Sequence, residues 1–154
     1  MSAFNNPGKL ESAMKSVVDG LSLTLYGDET AIGVNTGQDD SELPLPSVTL
    51  AVIGSSGQEF IKGTGILQSK AVVRVTSSST ITLAQHQARA AAVFDGFFND
   101  TIAATLAAAV ADFHVYDVKF EAPDIARRDP RDDNAFVWVS ELMLEVVWCG
   151  SDIA

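Results

Sequence analysis

Apolar residues Leu10, Met14, Val17, Val18 and Leu21 recur at three- and four-residue spacing and Gly20 offers a stop, which predicts an amphipathic helix over Lys9 to Asp19. A short apolar piece follows from Leu21 to Tyr26. From Gly27 to Glu42 the periodicity fades into a polar stretch with three glycines and five acids, which reads as a long mobile excursion with a short strand near Ala31 to Val34. Leu43-Pro44-Leu45-Pro46 forbids helix and leads into Val48, Leu50 and Val52 alternating with Thr49 and Ala51, a strand entered from an extended edge. Gly54-Ser55-Ser56-Gly57 turns the chain. Gly65 to Thr76 is again of period two, with Leu67, Ala71, Val73 and Val75 opposed by Gln68, Lys70 and Arg74. The two segments are expected to pair as an antiparallel hairpin with a long, glycine-rich tip.

Ser77, Ser78, Ser79 and Thr80 are candidate N-caps for a helix from about Leu83 to Phe98, whose heavy face is Leu83, Ala90, Phe94, Phe97 and Phe98. Asn99-Asp100-Thr101 interrupts this pattern. Ile102, Leu106, Ala109 and Val110 then mark a second, alanine-rich helix ending near Asp112. From Phe113 the period drops to two, placing His114, Tyr116, Val118 and Phe120 on one face and Val115, Asp117, Lys119 and Glu121 on the other. Ala122 to Asn134 contains two prolines and a run of charges of both signs, and is expected to be a mixed-charge loop.

Ala135 to Cys149 is expected to be a strand about 50 Å long at roughly 3.3 Å per residue. Phe136, Trp138, Leu142, Leu144, Val146 and Trp148 line one of its faces; Val137, Val139, Met143 and Val147 share the other with Glu141 and Glu145. A small sheet seldom has helices enough for two faces, so the second face is a candidate for burial by another subunit, unless a bend or bulge divides the segment. Residues 1–154 are thus expected to form a single α+β domain. Its core would be a small, mainly antiparallel sheet with a long hairpin, flanked by two or three helices on one face.

Composition narrows what such a domain does. The chain has 154 residues, 47% of them hydrophobic and 19% charged, which is a globular balance. Twenty acids against ten bases give a net charge of −10, a field that repels phosphate backbones. Between Lys15 and Lys62 no basic residue occurs, while seven acids fall there. The apolar run from Thr101 to Val118 is broken by Asp112, His114 and Asp117, so no membrane span is expected. The opening MSAFNNPGKLESAM lacks the basic-then-apolar progression of a secretory signal, which makes cytoplasmic synthesis the expectation. One cysteine, Cys149, cannot build a disulfide framework or a thiolate cluster, and reads as a small half-buried side chain near a strand end.

Catalytic constellations are sparse. His86 in Gln85-His86-Gln87 and His114 beside Phe113 belong to no metal-ligand spacing and read as structural or surface histidines. Gly54-Ser55-Ser56-Gly57 lacks the spacing of a nucleophile elbow, and Gly63-Thr64-Gly65 lacks the third glycine and the lysine of a phosphate loop. No cofactor and no metal are expected. Asp132 and Asp133 are more simply ion partners of Arg127, Arg128 or Arg131 than cation ligands. Reciprocal charge in this loop suits a head-to-tail, ring-closing contact between copies, so Arg127, Arg128, Arg131, Asp132 and Asp133 are the candidate protomer interface.

Three stretches carry a resemblance: Leu45-Pro46-Ser47-Val48-Thr49-Leu50; Ala71-Val72-Val73-Arg74-Val75 leading through serines to Gln85-His86-Gln87; and Val139-Ser140-Glu141-Leu142-Met143-Leu144-Glu145-Val146. With the order of elements from about Leu10 to Trp148, the chain resembles the tail-terminator (tail-completion) proteins of long-tailed bacteriophages. None of these stretches is a diagnostic motif. The resemblance implies a non-enzymatic virion protein, made in the host cytoplasm, that forms a homohexameric ring on the last ring of tail-tube protein and presents a surface to the head-neck connector proteins. DNA would pass through without specific binding, with Asp39, Asp40 and Glu42, or Glu141 and Glu145, facing the channel. The acidic stretch from Gly27 to Glu42 departs from the shortest such proteins. Two alternatives stay open: another neck connector or tube-like component, and a small-molecule binding module or enzyme with a pocket near His114, Tyr116 and Asp117.

Overall fold

The computed structural model describes residues 7–37, 44–53, 58–61, 65–131 and 134–149. In chain order these form α1 (Pro7–Asp19), β1 (Gly33–Thr36), β2 (Ser47–Val52), β3 (Gln58–Ile61), β4 (Ile66–Ser78), α2 (Leu83–Asp95), α3 (Ile102–Ala109), β5 (His114–Phe120), β6 (Asp124–Arg131) and β7 (Asn134–Cys149). Among the described residues the strands make one seven-stranded sheet, antiparallel except where β1 joins β2. The fold is α+β, with the helices on one face of the sheet.

Two long strands organise it. β4 and β7 run antiparallel in unbroken register from Leu67↔Trp148 to Ser78↔Val137. β2 and β3 lie end to end along the free edge of β4, pairing with Ala71 to Thr76 and with Ile66 to Gln68. β5 and β6 do the same along β7, against Leu144 to Cys149 and against Asn134 to Glu141. Even the turn between them stays in step, since the Glu121 N–H donates to the Met143 carbonyl at 3.1 Å. The sheet is therefore two long hairpins lying side by side.

Alternation in the central strands sends Val48, Leu50, Val52, Ala71, Val73, Val75, Leu142, Leu144, Val146 and Trp148 to the same side. There they meet Leu10, Ala13, Met14 and Val18 of α1, Ala90, Val93 and Phe94 of α2, Phe97, and Ile102 and Leu106 of α3 in a single core. Trp148 is fully buried yet keeps its indole N–H satisfied on Ser69 Oγ at 3.0 Å. Thr82 opens α2 through a reciprocal cap: the Gln85 N–H donates to Thr82 Oγ1 at 3.2 Å, and the Thr82 N–H donates to Gln85 Oε1 at 3.0 Å. The cap thus falls after the serine run named as its source, and α2 ends before Phe98. Leu83 and Phe98 are exposed, and the buried face of α2 holds His86 and Arg89 beside Ala90, Val93 and Phe94.

Three other expectations are corrected. Ala122 to Asn134 contains a strand, because the backbone of β6 pairs with β7 while Asp124, Arg127 and Asp129 answer one another on the open face of the sheet. In β5 a bulge between Val115 and Asp117 shifts the phase, so Val115, Val118 and Phe120 face the core, while Tyr116 is 54% exposed. From Gly27 to Gly37 the acidic stretch is held as structure: β1 pairs with β2, and Glu29 bonds the Tyr26 N–H at 2.8 Å. Residues 38–43 lie outside the described residues.

The core makes a simple forecast. Leu142 is fully buried at the centre of β7, so Leu142→Ala is expected to cost about 2–5 kcal/mol, whereas Tyr116→Ala should stay within about 0.5 kcal/mol. Urea unfolding of the two variants measures the contrast.

Candidate functional site

The open face of the sheet holds the second, apolar face of β7. On it, Val137, Val139 and Val147 of β7 are buried within the single chain, and Met143 is half-buried. β7 is also unbroken. Neither a second subunit nor a bend is needed to explain the apolar second face.

Charge closes that face instead. Arg74 and Glu141 stand opposite each other in the β4–β7 register and meet at 3.4 Å. Arg127 on β6 reaches the same carboxylate at 2.6 Å, Asp124 at 2.7 Å and Asp129 at 3.1 Å. Burial works against the Arg127 charge, but the hydrogen bonds and charges of Glu141 and Asp129 outweigh it and hold the guanidinium above its ordinary range. Toward the other end, Lys70 faces Glu145 in the register and pairs with Glu121 at 3.5 Å. These long side chains lie across the valines between them.

Arg128 is different. Alternation turns it to the helix side of the sheet, where its guanidinium lies 4.8 Å from the Phe136 ring centroid and 5.1 Å from that of Trp138. Trp138 is fixed by donating its indole N–H to the Ile81 carbonyl at 3.2 Å, and Phe136 meets it edge-on. Arg128 is exposed and makes no ion pair among the described residues. Its two ring contacts hold the guanidinium at the surface.

The residues named from sequence therefore separate. Arg127 is engaged in its own chain's ion network, while Arg128 is available. The side chain of Arg131, and Asp132 and Asp133 entirely, lie outside the described residues, as do Asp39, Asp40 and Glu42. Glu141 is half-buried between Arg74 and Arg127, and Glu145 is half-buried on the same face. His114, Tyr116 and Asp117 are exposed along β5. A cavity of about 260 Å³ lies elsewhere, between the end of α1, the segment after it and β1; Val18, Asp19, Leu21, Leu23, Leu25, Ala31, Ile32 and Val34 line it.

Sequence reading missed a buried polar cluster under α2. His86 Nδ1 lies 2.9 Å from Ser77 Oγ and Nε2 lies 2.9 Å from Ser140 Oγ, so one ring spans both central strands. Arg89 donates to Ser77 Oγ at 2.9 Å and to the Thr24 carbonyl at 3.3 Å, forms an ion pair with Glu29, and stands 5.2 Å from the Tyr26 ring centroid. His86 and Ser77 are fully buried and Ser140 nearly so, which leaves no surface on which a serine could meet a substrate. The only sequence signal was two polar residues three apart on one helix face. Among the described residues no group of His, Cys, Asp and Glu is placed to hold a metal ion, and no helix is long and apolar enough to cross a membrane.

No protein-family model matches the chain, and none of the curated proteins is similar to it in sequence. A chain of a solved structure described as "Virion of native gene transfer agent (GTA) particle" is similar over 88% of this chain and 84% of that one, with 14% identity and a TM-score of 0.43.

The buried histidine carries a pH signature. Burial strips water from its charged form and Arg89 repels it, so its pKa is lowered from 6.5 to about 4. Between these values the unfolded chain binds a proton that the folded chain refuses, so stability is whole above pH 6.5 and falls as the pH drops toward 4, by about 3 kcal/mol. His86→Gln should flatten this part of the pH profile, read as urea midpoints against wild type. Glu29→Gln leaves Arg89 buried without its carboxylate and should cost about 3–5 kcal/mol by the same assay.

Proposed function

We propose that this chain is a non-enzymatic structural subunit of a phage-type virion, and that copies of it form a ring at the end of a tail tube, where the tail joins the neck. The observation that carries the reading is Arg128. It is an exposed guanidinium braced on Phe136 and Trp138, on an outer strand of a chain whose net charge is −10. Such a cation on an acidic protein finds its nearest abundant acceptors on another copy of the same chain. The order of elements that resembles tail-terminator proteins supports the same reading, as does the acidic balance, which suits a wall along which DNA slides without adhering.

A ring needs two different surfaces on each protomer that meet with closure. The open edges of this sheet are different surfaces: β1 ends the path on one side, β5 and β6 on the other. Its partners would then be sister copies, the tail-tube protein below and a neck connector above. Localisation would be the virion.

Static light scattering of the purified chain tests the reading. A mass of several protomers is expected, six for the terminator ring. Arg128→Glu should shift that mass toward the monomer while leaving the unfolding midpoint within about 0.5 kcal/mol of wild type. Arg127→Glu, which sets a fourth carboxylate beside Asp124, Asp129 and Glu141, should instead lower the unfolding midpoint. An oligomer indifferent to Arg128→Glu would take that residue out of the interface.

A further inference from the structure

The segment from Leu21 to Thr36, which leads from the end of α1 through β1, lies on the domain without entering its core. None of its residues is fully buried, and Leu23, Ile32 and Val34 only pack, half-buried, against the margin of the core. β1 adds four residue pairs with the outer edge of β2. The rest is fastened by one side chain of α2. The buried Arg89 guanidinium forms the ion pair with Glu29, donates to the Thr24 carbonyl at 3.3 Å and stands 5.2 Å from the Tyr26 ring centroid. Its Nε is buried with no hydrogen-bond partner among the described residues, so the closed arrangement leaves one donor unsatisfied.

Ser77 Oγ joins Arg89 to His86, lying 2.9 Å from Arg89 Nη1 and 2.9 Å from His86 Nδ1. Arg89 can only donate, so the hydroxyl accepts from it. With His86 neutral, the Ser77 hydrogen passes to Nδ1 and the Nε2 hydrogen to Ser140 Oγ at 2.9 Å, and each of the three hydrogens has an acceptor. A proton on Nδ1 reverses one link. Ser77 Oγ then faces two cationic donors, and its own hydrogen loses its acceptor. The elements packed against this part of α2 offer no carboxylate to the ring among the described residues. β4 and β7 turn Arg74 and Glu141 to the open face, β6 places Arg128 on the helix side over Trp138, and Glu29 and Tyr26 lie beyond Arg89.

We infer that Arg89 is a proton-operated latch: protonation of His86 drives Arg89 off Ser77 and releases the segment from Leu21 to Thr36, β1 included, while the β4–β7 core stays folded. Opening uncovers the outer edge of β2 from Ser47 to Leu50. Once Arg89 has swung into water it no longer repels the imidazolium, so the open form binds the proton more readily than the closed one and acid favours opening. In the closed form, burial and Arg89 hold the His86 pKa down at about 4.

Amide hydrogen exchange of the full chain, read by mass spectrometry, tests the latch. After correction for intrinsic exchange chemistry, peptides from Leu21 to Thr36 should exchange about tenfold faster, or more, at about pH 4.5 than at about pH 7.5, by an opening that urea below the unfolding transition does not promote. Peptides of β4 and β7 should exchange more slowly, and only by an opening that urea does promote. His86→Gln should abolish the acid acceleration of the segment. Glu29→Gln, which unfastens Arg89 and leaves the imidazole in place, should speed the same peptides already at about pH 7.5, whereas Asp28→Asn, at an exposed neighbour, should not. Exchange of the segment in step with β4 and β7 at both pH values would overturn the proposal, as would an acid acceleration that persists in His86→Gln. Should His86→Gln fail to fold, Glu29→Gln decides: a segment as protected there as in wild type would refute the latch.

Discussion

The pairing of β4 with β7 is the contact on which the rest of the molecule depends. Each strand offers one apolar and one polar face, so their register is fixed by what a slip would do. Moving β7 by one residue would turn Glu141 and Glu145 toward the helices and expel Leu142, Leu144 and Trp148. His86 adds a second check. Its ring bonds Ser77 and Ser140, which are diagonal neighbours across this pair, and either hydroxyl displaced by a residue would leave a buried nitrogen unpartnered. The helix that delivers His86 also delivers Arg89, which fastens Glu29 and thereby the segment leading into β1. One strand pair sets the sheet, and one helix ties the sheet to its edge.

Much of this was legible in the chain. Helices α1, α2 and α3, strands β2, β4 and β7, and the antiparallel β2–β4 pairing follow from periodicity, because each keeps an unbroken alternation or helical repeat toward the core. The exceptions share a cause. In β6, bulges between Asp124 and Arg127 and between Asp129 and Arg131 break the alternation, and its charges are answered by residues far away in sequence. In β5 a bulge reverses the face of half the strand. Glu29 looks like one more acid in a solvated stretch until Arg89, sixty residues on, is seen to lie against it. Periodicity reports burial along a segment; it does not report a partner from another one.

The second face of β7 shows how an apolar count misleads. Val137, Val139 and Val147 share the open face with Arg74, Arg127, Glu141 and Lys70, whose methylene stems can shield apolar surface while their heads are paired. A face can be rich in valine and still suit water. Most of these ion pairs are partly exposed, and each adds little to stability on its own. Their larger effect is to specify which strands lie side by side, since Arg74 stands opposite Glu141 and Lys70 opposite Glu145, and Arg127 answers the carboxylates of Asp124 and Glu141 where these stand in register.

The same distribution bears on symmetry. A two-fold contact puts a patch against its own copy, which asks the patch to be self-complementary. The open face comes close to that where Arg74, Arg127, Asp124, Asp129 and Glu141 pair among themselves, and for the same reason this cluster has little left to offer a neighbour. The edges are the reverse. β1 ends the sheet path on one side, and β6, on the other, carries Arg128, which makes no ion pair among the described residues. Unlike edges of this kind would be matched by a contact in which one meets the other and not its own image. Successive copies in such a contact would be related by a rotation that repeats around the assembly.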